Sequence, residues 1–304
     1  AFGVMAILGA TVVVFILSRI GGQDPRYFYL GDGGGAYVTD EQWDAWGKKL
    51  GLDKPLVAQY FFWLGRVFRG DFGHSISAQQ PVMKRIKDRA GATLQLGLGA
   101  WIFGTALGVP LGVFSAIRRG GMLDYIARAF ALFGQSTPIF WVGIMGILVF
   151  AVYLGWLPAG SRGQGMAIRN LILPSIILGL NPAAAYLRLT RSAMLEVLDS
   201  QFVLFARSKG VSRQAVLWKH AFKNASLVPL TVSALVLIGF MTGVVVIETV
   251  FAWPGLGRLA IDSIWDNDFP TLIALVMVFA AAYVGIMLIL DLTYALLDPR
   301  IRYE

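Results

Sequence analysis

Residues 93–117 read TLQLGLGAWIFGTALGVPLGVFSAI, 25 residues without a single charge, closed by the pair Arg118-Arg119. At ~1.5 Å of rise per residue, such a run crosses the ~30 Å hydrocarbon core of a bilayer as a helix. A helix is required because no water is present there to satisfy backbone N–H and C=O groups. Gly104, Gly108 and Gly112 recur inside the run with Pro110 among them. That small-xxx-small ridge lets another helix approach closely, whether from the same bundle or from a second subunit.

Further apolar runs lie on both sides. The first, Ala1 to Leu17, carries no charge and ends at Ser18-Arg19. No small-residue cleavage site follows it, so it reads as a transmembrane helix rather than a signal peptide; residues are expected ahead of it because it lacks Met. A third run within Asp124 to Leu154 exceeds the length a bilayer needs, and is tilted, partly extramembrane or bent at Pro138. Leu171–Leu187, Leu227–Ile247 and Thr271–Leu297 make six. The expected fold class is an all-α polytopic membrane protein with six transmembrane helices.

Composition agrees. Of the 304 residues 57% are hydrophobic and 14% charged, whereas a soluble domain is about 25% charged; mean hydropathy is +0.66. With no cysteine, disulfides, thiolate zinc sites, iron–sulfur clusters and a cysteine nucleophile are excluded. The net charge of +8 fits cytoplasmic loops of a membrane protein better than nucleic-acid binding.

Residues 20–91 are the most polar, with ten Lys/Arg and eight Asp/Glu. Gly31 to Gly35 reads as a flexible loop, and Thr39-Asp-Glu-Gln42 has the spacing of a capping box that opens a helix. A second short helix starts after Asp53-Lys-Pro55, with Leu56, Tyr60, Leu64 and Val67 or Phe68 at helical spacing. That stripe suits a helix lying on the membrane or ordinary packing in a small extramembrane subdomain. The expected layout is a first transmembrane helix over 1–19, an extracytoplasmic loop subdomain over 20–91 and a transmembrane core over 92–304.

Orientation follows from basic residues. Arg188 to Asn224 carries seven Lys/Arg against two acids. Arg118 and Arg119 follow the second run, and Arg300 and Arg302 the sixth. With six spans these regions share one side, which is therefore cytoplasmic together with both termini; 251–269 falls outside with 20–91.

Chemical motifs are few. No G-x-x-x-x-G-K-[ST] phosphate loop occurs, so the chain is expected not to hydrolyse ATP. His74 and His220 both lie in polar loops, which leaves no intramembrane Ser/His or zincin arrangement. Asp291 and Glu248 lie within or at the end of a span, where ionisable groups are functional candidates or pair between helices. The loop Leu195 to Pro229, LEVLDSQFVLFARSKGVSRQAVLWKHAFKNASLVP, holds more pattern. Phe202, Phe205 and Ala206 share one face before a break at Lys209-Gly210-Val211, and Val216, Trp218 and Phe222 recur after it. Gly210 suits a C′ position with left-handed φ. A helix–turn–helix with apolar residues and exposed bases is suited to docking into a groove of another protein.

Phe205-Ala206-x3-Gly210 resembles the coupling motif of ABC importer permeases, E-A-A-x3-G-x9-I-x-L-P. Ala206 matches the second Ala and Gly210 the Gly, while Leu204 and Phe205 replace the first two residues and His220-Ala-Phe-Lys223 replaces I-x-L-P. That altered ending resembles the dipeptide/oligopeptide/nickel permease branch. Gly51-Leu-Asp-Lys-Pro55 with Gln59-Tyr60, Gly70-Asp-Phe-Gly73-His-Ser75, Ser136-Thr-Pro-Ile-Phe140, Phe251-Ala-Trp-Pro-Gly-Leu-Gly257 and Leu297-Asp-Pro-Arg300 are similar to signatures of the same branch, in the same order. Gly22-Gln-Asp-Pro25 and the insert to Tyr37 depart from it.

The resemblance implies a type I ABC importer permease fold and one half of a translocation pathway for short peptides or a related small solute. Its implied partners are a second, homologous permease, two ATP-binding subunits, an extracytoplasmic solute-binding protein and the lipid bilayer of the inner membrane. ATP and Mg are bound by the partner ATPases, and this chain holds no cofactor or metal. Coupling falls to a cytoplasmic loop at about 190–226: Phe205, Ala206 and Gly210, with Arg207, Lys209 and Arg213 as polar contacts. A secondary transporter or channel is the alternative; it would place ionisable or broken-helix sites at mid-membrane, usually in inverted repeats.

Overall fold

Apolar runs bounded by basic pairs, Gly and Pro become helices throughout the computed structural model, which describes residues 2–20, 24–28, 39–163, 168–241 and 244–297. Among these no strand forms, and the one extended pairing is an isolated bridge between His74 and Pro81. The helices are α1 (Phe2–Ile20), α2 (Asp40–Leu50), α3 (Leu56–Phe68), α4 (Val82–Ile117), α5 (Met122–Ser136), α6 (Ile139–Gly146), α7 (Ile168–Leu198), α8 (Gln201–Ser208), α9 (Arg213–Ala215), α10 (Lys223–Ala225), α11 (Leu227–Met241), α12 (Val245–Val250), α13 (Leu256–Trp265) and α14 (Phe269–Leu297). The stretch Gly31 to Gly35, most of the Gly22–Tyr37 insert, the Asp291 side chain and residues 298–304 lie outside the described residues.

Local signals act as their chemistry dictates. Thr39 and Gln42 form the reciprocal capping box at the start of α2, and Gly51 ends it at φ +71°. Thr137 adopts extended backbone before Pro138, the conformation favoured for a residue preceding proline. There α5 and α6 meet at 105°, so of the three readings of the long third run the bend is the one adopted. Two helices outrun their apolar cores. α4 begins at Val82, ahead of Thr93, and α7 continues past Leu187 to Leu198; hydropathy ends where charge begins, but backbone hydrogen bonding does not.

Among the described residues α4, α7 and α14 are each long and apolar enough to cross a membrane, and the bent pair that starts with α5 and α6 makes a fourth if it counts as one span. The other two expected runs also fold as helices, α1 and α11; the spans counted among the described residues are three or four, and not the six expected.

The chain forms two compact units, 1–91 with 255–304, and 92–254. In the first, Val82 and Ile86 of α4 pack with Leu256, Leu259, Ala274 and Leu275. A buried carboxylate anchors its polar end: Asp268 accepts from Ser75 Oγ at 2.5 Å, Ile76 N–H at 3.1 Å, Thr271 Oγ1 at 2.7 Å and the Arg85 guanidinium at 2.6 Å. Gly70-Asp-Phe-Gly73-His-Ser75 is thus the loop that caps Asp268.

In the second unit α4 and α7 cross along the glycine ridge. A Cβ added at Gly104, Gly108 or Gly112 would stand 3.2, 2.4 and 2.7 Å from the carbonyl oxygens of Gly179, Ala183 and Leu187. Only glycine permits that backbone approach, and the ridge serves packing within the chain. Trp253, buried, donates from Nε1 to the Ala92 carbonyl at 2.8 Å, and Thr93 Oγ1 donates to the fully buried Glu248 at 2.7 Å. Glu248 is therefore engaged between helices.

Candidate functional site

The basic stretch after α7 folds as a helix pair. α8 starts after Ser200 and ends in a Schellman turn: the Gly210 N–H donates to the Arg207 carbonyl at 3.0 Å and the Val211 N–H to the Ala206 carbonyl at 3.2 Å. Gly210 takes φ +75°, with nothing within 4 Å of where its Cβ would be. It is required for its backbone conformation and not for space. Ser212 then opens the second arm, accepting from the Ala215 N–H at 3.4 Å. That arm runs through α9, a π-helical stretch Val216–Phe222 and α10.

One side of the pair is fastened to the body of its unit. Ala221 and Ala225 pack with Val113 and Ala116 of α4 and with Ala193 and Met194 of α7, and Leu217 and Phe222 close over them. Val203 and Val216 are also buried. The body beneath is stiffened by Asp124, whose carboxylate accepts from Arg191 at 2.7 and 3.1 Å, Ser115 Oγ at 2.6 Å and the Gly120 N–H at 3.0 Å. That carboxylate joins α4, α5 and α7.

The other side is open. Phe205 is 60% exposed with Lys209 Nζ 4.5 Å from its ring centre, and Phe202, Leu204 and Trp218 are exposed too. Ala206 is half-buried; Arg207, Lys209, Gly210 and Arg213 are exposed. The six singled-out residues do not share one face. Arg207 and Arg213 line a cleft of about 450 Å³ against Ala116, Ile117 and Leu198, while Phe205 and Lys209 lie outside it. Nor do Val216, Trp218 and Phe222 form one surface. Val216 points inward and Trp218 outward, with Trp218 and Phe222 rings edge-to-face at 5.5 Å.

Two anchoring groups escaped the sequence reading. Asp124 counted as the edge of an apolar run and Arg191 as one base in a topology count; Asp268 carried no motif at all. Only the Arg118-Arg119-Gly-Gly turn before Asp124 hinted at a fixed position. Among the described residues no cluster of three or more His, Asp or Glu is placed to hold a metal ion. The arrangement offers an exposed aromatic-and-basic surface backed by α4 and α7.

Residues 108–303 match the sequence profile of the binding-protein-dependent transport system inner membrane component family. The chain belongs to this family. The family match covers α5 to α14 and the whole helix pair, together with the end of α4. Over nearly its full length the chain is similar to the dipeptide transport system permease protein DppB of Escherichia coli (strain K12), at 35% identity covering 98% of this chain and 95% of that one. The di/tripeptide transport system permease protein DppB of Pseudomonas aeruginosa is 36% identical over 97% of this chain and 95% of its own. A putative peptide transport system permease protein of Brucella abortus is 36% identical over 100% and 97%. Among solved structures, the inward-facing methionine ABC transporter MetNI aligns with a TM-score of 0.58 at 18% identity, covering 71% of this chain and 97% of that one. An amino acid ABC transporter aligns at 0.51 and 17% identity, over 69% and 92%. The fold is thus that of type I ABC importer permeases, and the chain is the permease component of a binding-protein-dependent importer.

Proposed function

We propose that the chain forms half of an inner-membrane pathway for short peptides, paired with a second, homologous permease and driven by two ATP-binding subunits that receive the 199–226 helix pair. Six spans set both termini and that pair in the cytoplasm, with 20–91 as an extracytoplasmic subdomain facing the solute-binding protein. Phe205 and Ala206 enter the ATPase groove; Arg207, Lys209 and Arg213 make polar contacts at its edge, and Gly210 aims the second arm. ATP and Mg are held by the partners.

The observation that carries this reading is the asymmetry of the helix pair. Its inner side is locked to α4 and α7, while its outer side leaves Phe205 exposed beside a fixed Schellman turn. A docked partner that moves therefore moves the bundle as a rigid body. Peptide as cargo rests on the names of the three relatives.

The test is purification of the tagged chain from its native membrane, followed by reconstitution in liposomes. ATPase subunits and a second permease are expected to co-purify, and ATP hydrolysis to rise when peptide-loaded binding protein is added. Hydrolysis by this chain alone would sink the proposal. Stimulation by a sugar or metal chelate with no response to di- or tripeptides would remove peptide as the cargo.

A further inference from the structure

Asp124 lies in the first turn of α5, and its side chain is 1% exposed. Arg191 of α7, 21% exposed, meets it at two points: Nε donates to one carboxylate oxygen at 2.7 Å and Nη2 to the other at 3.1 Å. Ser115 of α4 and the Gly120 N–H donate to the same carboxylate, and the Arg128 guanidinium stands 3.6 Å from it. The turns of α4 and α7 that supply Ser115 and Arg191 also carry Val113, Ala116, Ala193 and Met194. Those four residues hold Ala221 and Ala225 of the docking pair.

Beyond this joint, α5 meets α7 through small apolar surfaces. Ala127 and Ala131 pack with Ala184 and Leu187, and a Cβ added at Gly134 would stand 2.9 Å from that of Ala184. The Asn181 amide adds one long bond to the Gly134 carbonyl, at 3.3 Å. Apolar burial is non-directional, so it constrains the register of two helices less than a fork of charge-assisted bonds does. The net stability of a buried ion pair is small, because apolar residues of similar volume avoid desolvating both charges. Register is therefore the contribution that Asp124 and Arg191 make and leucine or methionine could not. Past Gly134 the chain bends by 105° at Pro138 into α6.

We propose that Asp124 is a positioning residue for coupling: its two-point pairing with Arg191 locks α5 to α7 in one register, so that movement of the docked helix pair is carried through α7 into α5 and on to the bend at Pro138. A rigid link is needed there because packed helices otherwise slide past one another by small shear motions. The proposal rests on the docking reading above and assigns the next element in the transmission.

The test uses the intact complex in liposomes, with its ATPase subunits, second permease and peptide-loaded binding protein. Asp124→Leu and Arg191→Met are combined with Ser115→Ala, so that no buried charge or hydroxyl loses its partner. The triple variant is expected to assemble and melt as the wild type does, while peptide moved per ATP hydrolysed falls roughly tenfold. Arg191→Lys keeps a charge but not the planar fork, and should give an intermediate ratio with unchanged melting. An unchanged ratio in both variants overturns the proposal. So does a loss of transport in proportion to a lowered melting temperature, which would mark a purely structural joint. Failure of the docking reading shows elsewhere, as a wild-type chain that recovers no ATPase subunits.

Discussion

Ala206 lies in the last turn of α8 and Gly210 just beyond its end, and substitutions there test docking in two separable ways. Ala206 is half-buried next to the exposed Phe205. If that patch enters an ATPase groove, Ala206→Asp places a carboxylate in a desolvated contact, at a cost of about 3–5 kcal/mol. Each ~1.4 kcal/mol is tenfold in affinity, so recovery of ATPase with the tagged permease should fall by two orders of magnitude or more. Gly210→Val acts through the backbone, since φ +75° with open space around it is a conformation β-branched residues resist. The second arm should be misaimed, and peptide-stimulated hydrolysis lost while the chain still inserts. Ala206→Ser is expected to be mild. If Ala206→Asp and Gly210→Val both keep coupled transport, this helix pair is not the docking element.

Helices in this chain are tied at their polar ends by carboxylates, and Asp268 is the clearest case. It is fully buried and holds the turn before α14 to the 75–77 loop and to Arg85, whose side chain is 9% exposed. Asp268→Ala would leave that guanidinium buried without its carboxylate, a loss of about 3–5 kcal/mol. A lower melting temperature of the purified complex and new tryptic cleavage at Lys84 or Arg85 are expected. The double replacement Arg85→Met with Asp268→Leu should recover much of the loss, because removing both charges also removes their desolvation cost. Equal damage in the single and double variants would show that hydrogen bonds to the loop, and not the ion pair, hold this end together.

For the whole molecule the decisive quantity is sidedness. The topology proposed from the charge asymmetry has residues 20–91 outside and 188–226 inside. With no native cysteine to interfere, an impermeant thiol reagent added to spheroplasts should label Ala78→Cys, which is exposed, and spare Gln214→Cys until the membrane is permeabilised. The reverse pattern would invert the topology and with it the proposed docking of α8.

What the sequence by itself determined is what depends on chemistry local to the chain. Apolar length made membrane helices, the Thr39–Gln42 spacing made a capping box, and Gly210 made a left-handed C′ turn. Each arises from interactions within a few residues, and the order of signature stretches was enough for the family. Tertiary structure decided the rest. Hydropathy could not say that α4 starts at Val82 or that α7 reaches Leu198, because charged residues continue a helix as readily as apolar ones. It could not choose among tilt, protrusion and a bend at Pro138. It could not divide Arg207 and Arg213 from Phe205, since which side of α8 faces a cleft is set by what packs beneath it. Nor could it pair Asp124 with Arg191 or Asp268 with Arg85, residues 67 and 183 positions apart. Buried charges need partners wherever the fold supplies them, and only the packed chain brings those partners within reach.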